Sequence, residues 1–225
     1  MQRYPSPMIV LAICLAALAG FVDALAYSSL GGFFASFMSG NTTRLGVSIA
    51  TDRFDEVRMA GALILSFVSG VMVSAVIARR WATQQQVAVM SLVTLLLGVA
   101  ATIMRFSPGS QALLLLAAAM GAENGLFTRE GEVSIGLTYM TGSLVRMAQR
   151  LAGALMGDSD RWSWMRYLLL WLGFLLGVVT GARCYGAFAN GALWLAAGAA
   201  GVMTIVVGTM AERANKPAPW GSRGS

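Results

Sequence analysis

Apolar stretches of a length suited to crossing a lipid bilayer recur along this chain, and they decide what it can fold into. A helix needs roughly 20 apolar residues to span the hydrocarbon core. Residues 7–30, 59–77, 87–104, 112–127, 164–182 and 192–210 are such stretches or close to it, separated by short polar segments. Composition agrees: 57% of the 225 residues are hydrophobic and 12% are charged, against roughly 25% charged in an average globular chain. The apolar content excludes a disordered or fibrous chain. Cys14 and Cys184 are too few to staple a secreted module and have no CxxC or ligand partner, so they read as free thiols packed as small hydrophobes. With no histidine in the chain, imidazole metal sites and Ser-His-Asp triads are ruled out. No metal, no cofactor and no enzymatic activity is expected, because no nucleophile–base spacing is visible either.

The 16 Lys and Arg residues stand singly or in pairs, mostly at the ends of apolar runs. That is the pattern of cytoplasmic anchoring and of attraction to anionic headgroups, not of a nucleic-acid surface. The first run also has the form of a secretory signal, with small residues at 17–20. The same kind of segment recurs at 112–127, however, and a removable address would not be duplicated in mid-chain.

The order of segments repeats. Phe37-Met38-Ser39-Gly40-Asn41 and Arg44 align with Tyr139-Met140-Thr141-Gly142-Ser143 and Arg146 at a constant offset. Upstream, residues 20–25 align with 121–126, one residue out of step. Downstream, Phe67 and residues 70–75 match Phe174 and residues 177–182. Gly- and Ala-rich helices align easily by chance, which would account for one block but not for three in the same order. The expected organisation is a first repeat over 1–106, a second over 107–210 and a polar cytoplasmic tail over 211–225, all in one membrane domain. The turn at 107–110 marks the midpoint.

FVDALAY and GGFFASFMSGNTTRLG, followed by the later GAENGLF and TYMTGSLVRMAQ, resemble the YoaK-like membrane proteins of the DUF1275 family, also called UPF0700. The resemblance covers residues 8–210 and implies a multi-spanning protein of the bacterial inner membrane. It implies no chemistry. The chain departs from the expected family pattern at Ser39, where Thr is usual, and at Glu123-Asn124, where Gln-Asn is commoner.

The expected fold is all-α and polytopic. Residues 33–50 and 133–156 are apolar at both ends and polar in the middle. Either they are broken or re-entrant helices, leaving six transmembrane helices and two inverted repeats, or they cross, giving eight spans and parallel repeats. Counting basic loop residues puts both termini in the cytoplasm in either case. Arg79 and Arg80, directly abutting a span, favour six.

Ionisable side chains at membrane depth are costly and mark function by default. Asp23 and Glu123, with Asn124 beside it, are the candidates for a coupling proton or cation. Ser39, Gly40, Asn41, Thr42 and Arg44, with Thr141, Gly142, Ser143 and Arg146, are the candidates for binding solute. In that reading the glycines permit a break, and Asn41-Thr42 or Ser143 cap a new helix start whose free N–H groups face an anion. The arginines one turn on would add full charges. The plainer readings are that the acids cap helix ends at the interface or pair with the arginines, and that the glycines only pack helices closely.

Gly173, Gly177 and Gly181 form a helix-contact face, Trp162, Trp164 and Tyr167 an interfacial belt, and the 14 methionines apolar filling. These readings converge on a small secondary transporter or permease for a small anionic solute, with its site between the repeats. The open alternatives are a channel or a non-transporting scaffold. Its partners would be the solute, the bilayer and, as a further alternative, copies of itself.

Overall fold

A computed structural model describes residues 6–29, 31–106, 109–129, 132–133, 138–158 and 160–215. Eight α-helices occupy most of them: α1 (Ser6–Ser29), α2 (Met38–Ala50), α3 (Phe54–Arg80), α4 (Gln85–Phe106), α5 (Ser110–Glu123), α6 (Met140–Leu155), α7 (Trp164–Phe188) and α8 (Ala192–Asn215). Four apolar stretches are long enough to cross a membrane: Pro7–Ser29, Phe54–Arg80, Ala82–Phe106 and Trp164–Glu212. The last holds α7 and α8, parted by a 3-10 turn at Ala189–Gly191. The all-helical, multi-pass architecture therefore follows from the apolar runs.

Several boundaries differ from the sequence expectation. The charged segment 51–58 is not a loop throughout: α3 already starts at Phe54, with Asp55 and Glu56 in its first turn, where acids complement the helix dipole. The tail does not begin at 211, since α8 runs on to Asn215. Tyr167 is buried and does not belong to an interfacial belt, whereas Trp162 is exposed and stacks on Trp164. Thr128–Arg129 and Glu132–Val133 pair as a minimal antiparallel ladder, with Thr128 opposite Val133. Ser107 and Pro108 of the expected midpoint turn, and the tail beyond 215, lie outside the described residues.

The two polar-centred segments are short helices. α2 has 13 residues and α6 has 16, about 20 and 24 Å at 1.5 Å per residue, less than the roughly 30 Å hydrocarbon core. The irregular backbone among the described residues lies ahead of Gly40 and Gly142, at residues 31–37 and 138–139. Neither Asn41 nor Ser143 is an N-cap. Phe37 and Tyr139 hold those places, without a side-chain cap.

Close backbone contacts set the helix pairing. Gly173, Gly177 and Gly181 of α7 face Ile13, Ala17 and Phe21 of α1 in that order, so the two helices run parallel. Gly20 of α1 faces the carbonyl of Phe174 in return. On the other side of the molecule, Gly70 of α3 faces the carbonyl of Ala118 and Gly121 of α5 faces that of Phe67, while Gly125, just past α5, faces the Ser74 side chain. A Cβ at Gly20, Gly70, Gly121 or Gly177 would collide with backbone, which is how small residues let membrane helices approach.

α4 packs on α8, joined by a bond between the Thr94 and Thr204 hydroxyls (2.9 Å). Met104 near the end of α4 shares a cleft with Leu193 at the start of α8, so this pair is antiparallel. Leu25, Ser29 and Tyr185 line the same cleft, which brings the ends of α1, α4 and α7 to one end of the bundle. α2 lies on α3, and α6 on α7.

Buried side chains concentrate on α1, α4 and α5, among them Leu15, Val22, Met90, Leu97, Leu116 and Met120. α3 instead exposes Leu65, Met72 and Val76, as a lipid-facing helix would.

Candidate functional site

A cavity of about 740 Å³ opens where the starts of α2 and α6 approach the α1–α7 and α3–α5 pairs. Phe37, Met38 and Ser39 form one wall, and Tyr139, Met140 and Thr141 another. Phe67 and Phe174, matched in the sequence alignment, both reach it, as do Ser36 and Thr138. The volume lies within the range of sites for small organic molecules.

Asp23 lines the cavity and is 3% exposed. Its carboxylate accepts hydrogen bonds from the backbone N–H of Ser36 (2.6 Å) and from the Ser36 hydroxyl (2.7 Å). It is therefore an interior group and not a helix cap at the interface. On the other side, Asn124 donates to the Met120 carbonyl (2.9 Å) and exchanges hydrogen bonds with the Thr138 hydroxyl (3.2 and 3.3 Å). Asp23 aligns with Asn124, and Ser36 with Thr138, so aligned residues make a side-chain tie to the hydroxyl ahead of α2 and to that ahead of α6.

Glu123 is fully buried, and neither carboxylate oxygen has a hydrogen-bond partner among the described residues.

The residues expected to bind solute divide. Ser39 and Thr141 line the main cavity. Gly142, Ser143 and Arg146 line an adjoining one of about 340 Å³, which shares Phe67, Thr138 and Tyr139 with the first and also touches Asn124. Gly40 and Gly142 accommodate the rings of Phe37 and Tyr139, which would overlap a Cβ; close ring packing, not a helix break, is what these glycines serve. Asn41 is fully buried and engaged with backbone: its Oδ1 accepts from the Phe34 N–H (3.1 Å) and its Nδ2 donates to the Phe34 carbonyl (2.7 Å). Thr42 is exposed and bonds back to the Met38 carbonyl (2.8 Å).

Arg44 is not among the residues lining either cavity. Its guanidinium donates to the Gly31 carbonyl (3.0 Å), lies 3.7 Å from Glu56 and sits 4.0 Å over the Phe33 ring. It fastens the loop ahead of α2. The two arginines therefore do not meet across a common site, and the expected pairing of the acids with them is absent among the described residues. The aromatic lining, from Tyr27, Phe34, Phe37, Phe67, Tyr139 and Phe174, was not foreseen as a site. Its signal was present in the alignment, where Phe37 pairs with Tyr139 and Phe67 with Phe174.

The profile of the DUF1275 family, described as proteins of unknown function, matches residues 11–206. The chain belongs to the DUF1275 family. It is 32% identical over 207 residues to the UPF0700 transmembrane protein RA0705 of Rhizobium meliloti (strain 1021), covering 90% of this chain and 87% of that one. It is 24% identical over 165 residues to the UPF0700 transmembrane protein YoaK of Bacillus subtilis (strain 168), covering 70% and 72%. No solved structure matches. Together with the long apolar helices, these relatives make this DUF1275 chain a multi-pass membrane protein.

Proposed function

We propose that the chain is a small secondary transporter whose solute site is the cavity between two inverted, structurally equivalent halves. The observation that carries this reading is the supply of the cavity walls in matched pairs: Phe37 with Tyr139, Met38 with Met140, Ser39 with Thr141, and Phe67 with Phe174. The helix contacts support it too. Exchanging α1 with α5, α2 with α6, α3 with α7 and α4 with α8 turns the α1–α7 pair into α5–α3, turns α2–α3 into α6–α7, and returns α4–α8 to itself.

Helix directions support six crossings. α1 runs parallel to α7, α7 turns back into α8, and α8 is antiparallel to α4. α4 thus shares the direction of α1, and α3, joined to it by a short turn, opposes both. α1 ends and α3 begins at the same end of the bundle, so the segment holding α2 enters and leaves on one side. The same reasoning applied to α5 and α7 gives α6 the opposite side.

The end where α1 starts, α3 finishes and α7 starts collects Arg79, Arg80, Arg161 and Arg166, with Arg213 near the end of α8. The other end has Arg53, Arg58, Arg105 and Arg183. By the positive-inside rule the first end is cytoplasmic, with both termini, in the bacterial inner membrane.

Rocking of one half against the other would expose the cavity to each side in turn. Glu123 fits the part of a coupling group, because a buried carboxylate without hydrogen-bond donors needs a proton or a cation to offset its desolvation. A scaffold that offers its glycine faces to a partner is less well supported, since Gly173, Gly177 and Gly181 are already used against α1.

The test places single cysteines at Ser39 and Thr141 in a chain lacking Cys14 and Cys184. A membrane-impermeant maleimide is then applied from each face of oriented vesicles. Transport requires both positions to react from both faces. Reaction from one face only, or from neither, would overturn it.

A further inference from the structure

On the basis of that transport reading, we propose that the solute is an organic cation with a bulky apolar body, with Asp23 as its counter-ion and the aromatic walls as its seat. Among the described residues, Asp23 is the one charged side chain lining the 740 Å³ cavity, and no Lys or Arg reaches it. Arg44 is committed to Gly31, Glu56 and Phe33, and Arg146 lines the adjoining space. The expectation of an anion rested on the helix starts and on these two arginines, and neither arginine lines this cavity.

The walls are suited to positive charge. Tyr27 and Phe34 lie 5.3 Å apart at 40°, and Phe34 meets Phe37 edge to face at 5.2 Å and 88°. This connected set therefore presents ring faces in different directions. With Phe67, Tyr139 and Phe174 it offers a cation several negative ring faces, and an apolar body the dispersion contacts.

The comparison of matched positions isolates the charge. Asn124 ties the segment ahead of α6 through Thr138 with a neutral amide. Asp23 ties the segment ahead of α2 through the Ser36 hydroxyl likewise, and through the Ser36 backbone N–H as well. A neutral amide oxygen can accept either bond, so holding the segment does not by itself call for a negative charge at 23. The positive end of the α2 dipole lies beside that acid. The start of α6 has no such neutraliser, and it favours an anion, as does Arg146 in the adjoining space.

The experiment measures binding of tetraphenylphosphonium and of tetraphenylborate, ions of matched shape and opposite charge, to the purified full chain in one detergent. The wild type is compared with Asp23→Asn and Tyr139→Leu. Asp23→Asn places at 23 the residue that already serves at 124, and Tyr139 is 65% exposed, so both variants should fold; matching unfolding midpoints check it. Tetraphenylphosphonium should bind the wild type in preference. Its affinity should fall by about tenfold or more in Asp23→Asn and measurably in Tyr139→Leu.

Preference for the borate ion, or unchanged phosphonium affinity in Asp23→Asn, would overturn the charge assignment. The transport reading would then stand or fall separately on the labelling at Ser39 and Thr141. Failure of tetraphenylphosphonium to bind, alone or together with tetraphenylborate, would likewise overturn the assignment.

Discussion

Asn41 serves its own neighbourhood before any ligand. The irregular stretch ahead of α2 leaves the amide and carbonyl of Phe34 without helical or sheet partners, and one buried carboxamide satisfies both. Removing it strands two polar groups, which costs roughly 1–3 kcal/mol for each that stays buried. Asn41→Ala should therefore lower the unfolding midpoint clearly. Ser143→Ala at the matched position should change it little, because among the described residues that hydroxyl reaches the N-cap of its own helix alone, at 3.5 Å from the Tyr139 carbonyl. A scan of thermal unfolding in detergent checks both. Glu123 calls for a different measurement. Glu123→Gln keeps the volume and removes the ionisable group, so the fold should persist while uptake of a transported cation ceases to respond to an imposed proton gradient. An unchanged response would assign Glu123 to packing alone. The sequence marked Asp23, Asn41 and Glu123 as out of place in an apolar setting. It could not say that Asn41 was already engaged, because its partner is backbone and leaves no residue-type signal.

Helix pairing rests on glycines that let one backbone touch another, and it can be broken selectively. A Cβ at Gly177 would run into the carbonyl of Ala17, and one at Gly70 into that of Ala118. Gly98 and Gly198, also mid-helix, have open space where a Cβ would go. Gly177→Val and Gly70→Val should each cost at least the roughly 1–3 kcal/mol of an overpacked core, since main chain must move. Gly98→Ala should be neutral or slightly stabilising, because alanine exceeds glycine in helix propensity by about 1 kcal/mol. Unfolding midpoints of the purified variants measure the difference, and equal effects at buried and open positions would refute the pairing. The long helices were legible as apolar runs, and the small-residue face of α7 as a four-residue spacing. The starts of α2 and α6 were misread, because Ser-Gly-Asn looks like a helix-breaking cap but sits inside the first turn. The ladder at 128–133 went unseen because two-residue strands carry no alternation to detect.

At the scale of the whole molecule, each half packs its first helix against the other half. α1 rests on α7, α5 rests on α3, and the α4–α8 pair crosses the boundary as well. The aligned blocks were readable in the sequence; which helix packs on which was not, because periodicity gives each helix a buried face without naming its neighbour. This packing of each half on the other has a consequence for folding. A fragment of residues 1–106 keeps α2 on α3 and the short turn into α4. It loses the surfaces that cover Gly20, Gly70 and the buried faces of α1 and α4, where Leu15, Val22, Met90 and Leu97 lie. The complementary fragment loses the cover of Gly121 and Gly177 in the same way. Neither half holds a complete core, so neither should give a monodisperse species with cooperative unfolding when expressed alone. The two co-expressed should assemble into a complex whose unfolding approaches that of the intact chain, because the broken link lies in the short connection between α4 and α5 and not in a packed interface. Size-exclusion chromatography of tagged halves, alone and together, reads this directly. A well-behaved, cooperatively unfolding 1–106 fragment would mean that the halves are autonomous, and the cavity between them would then be a junction of two finished domains instead of the centre of one.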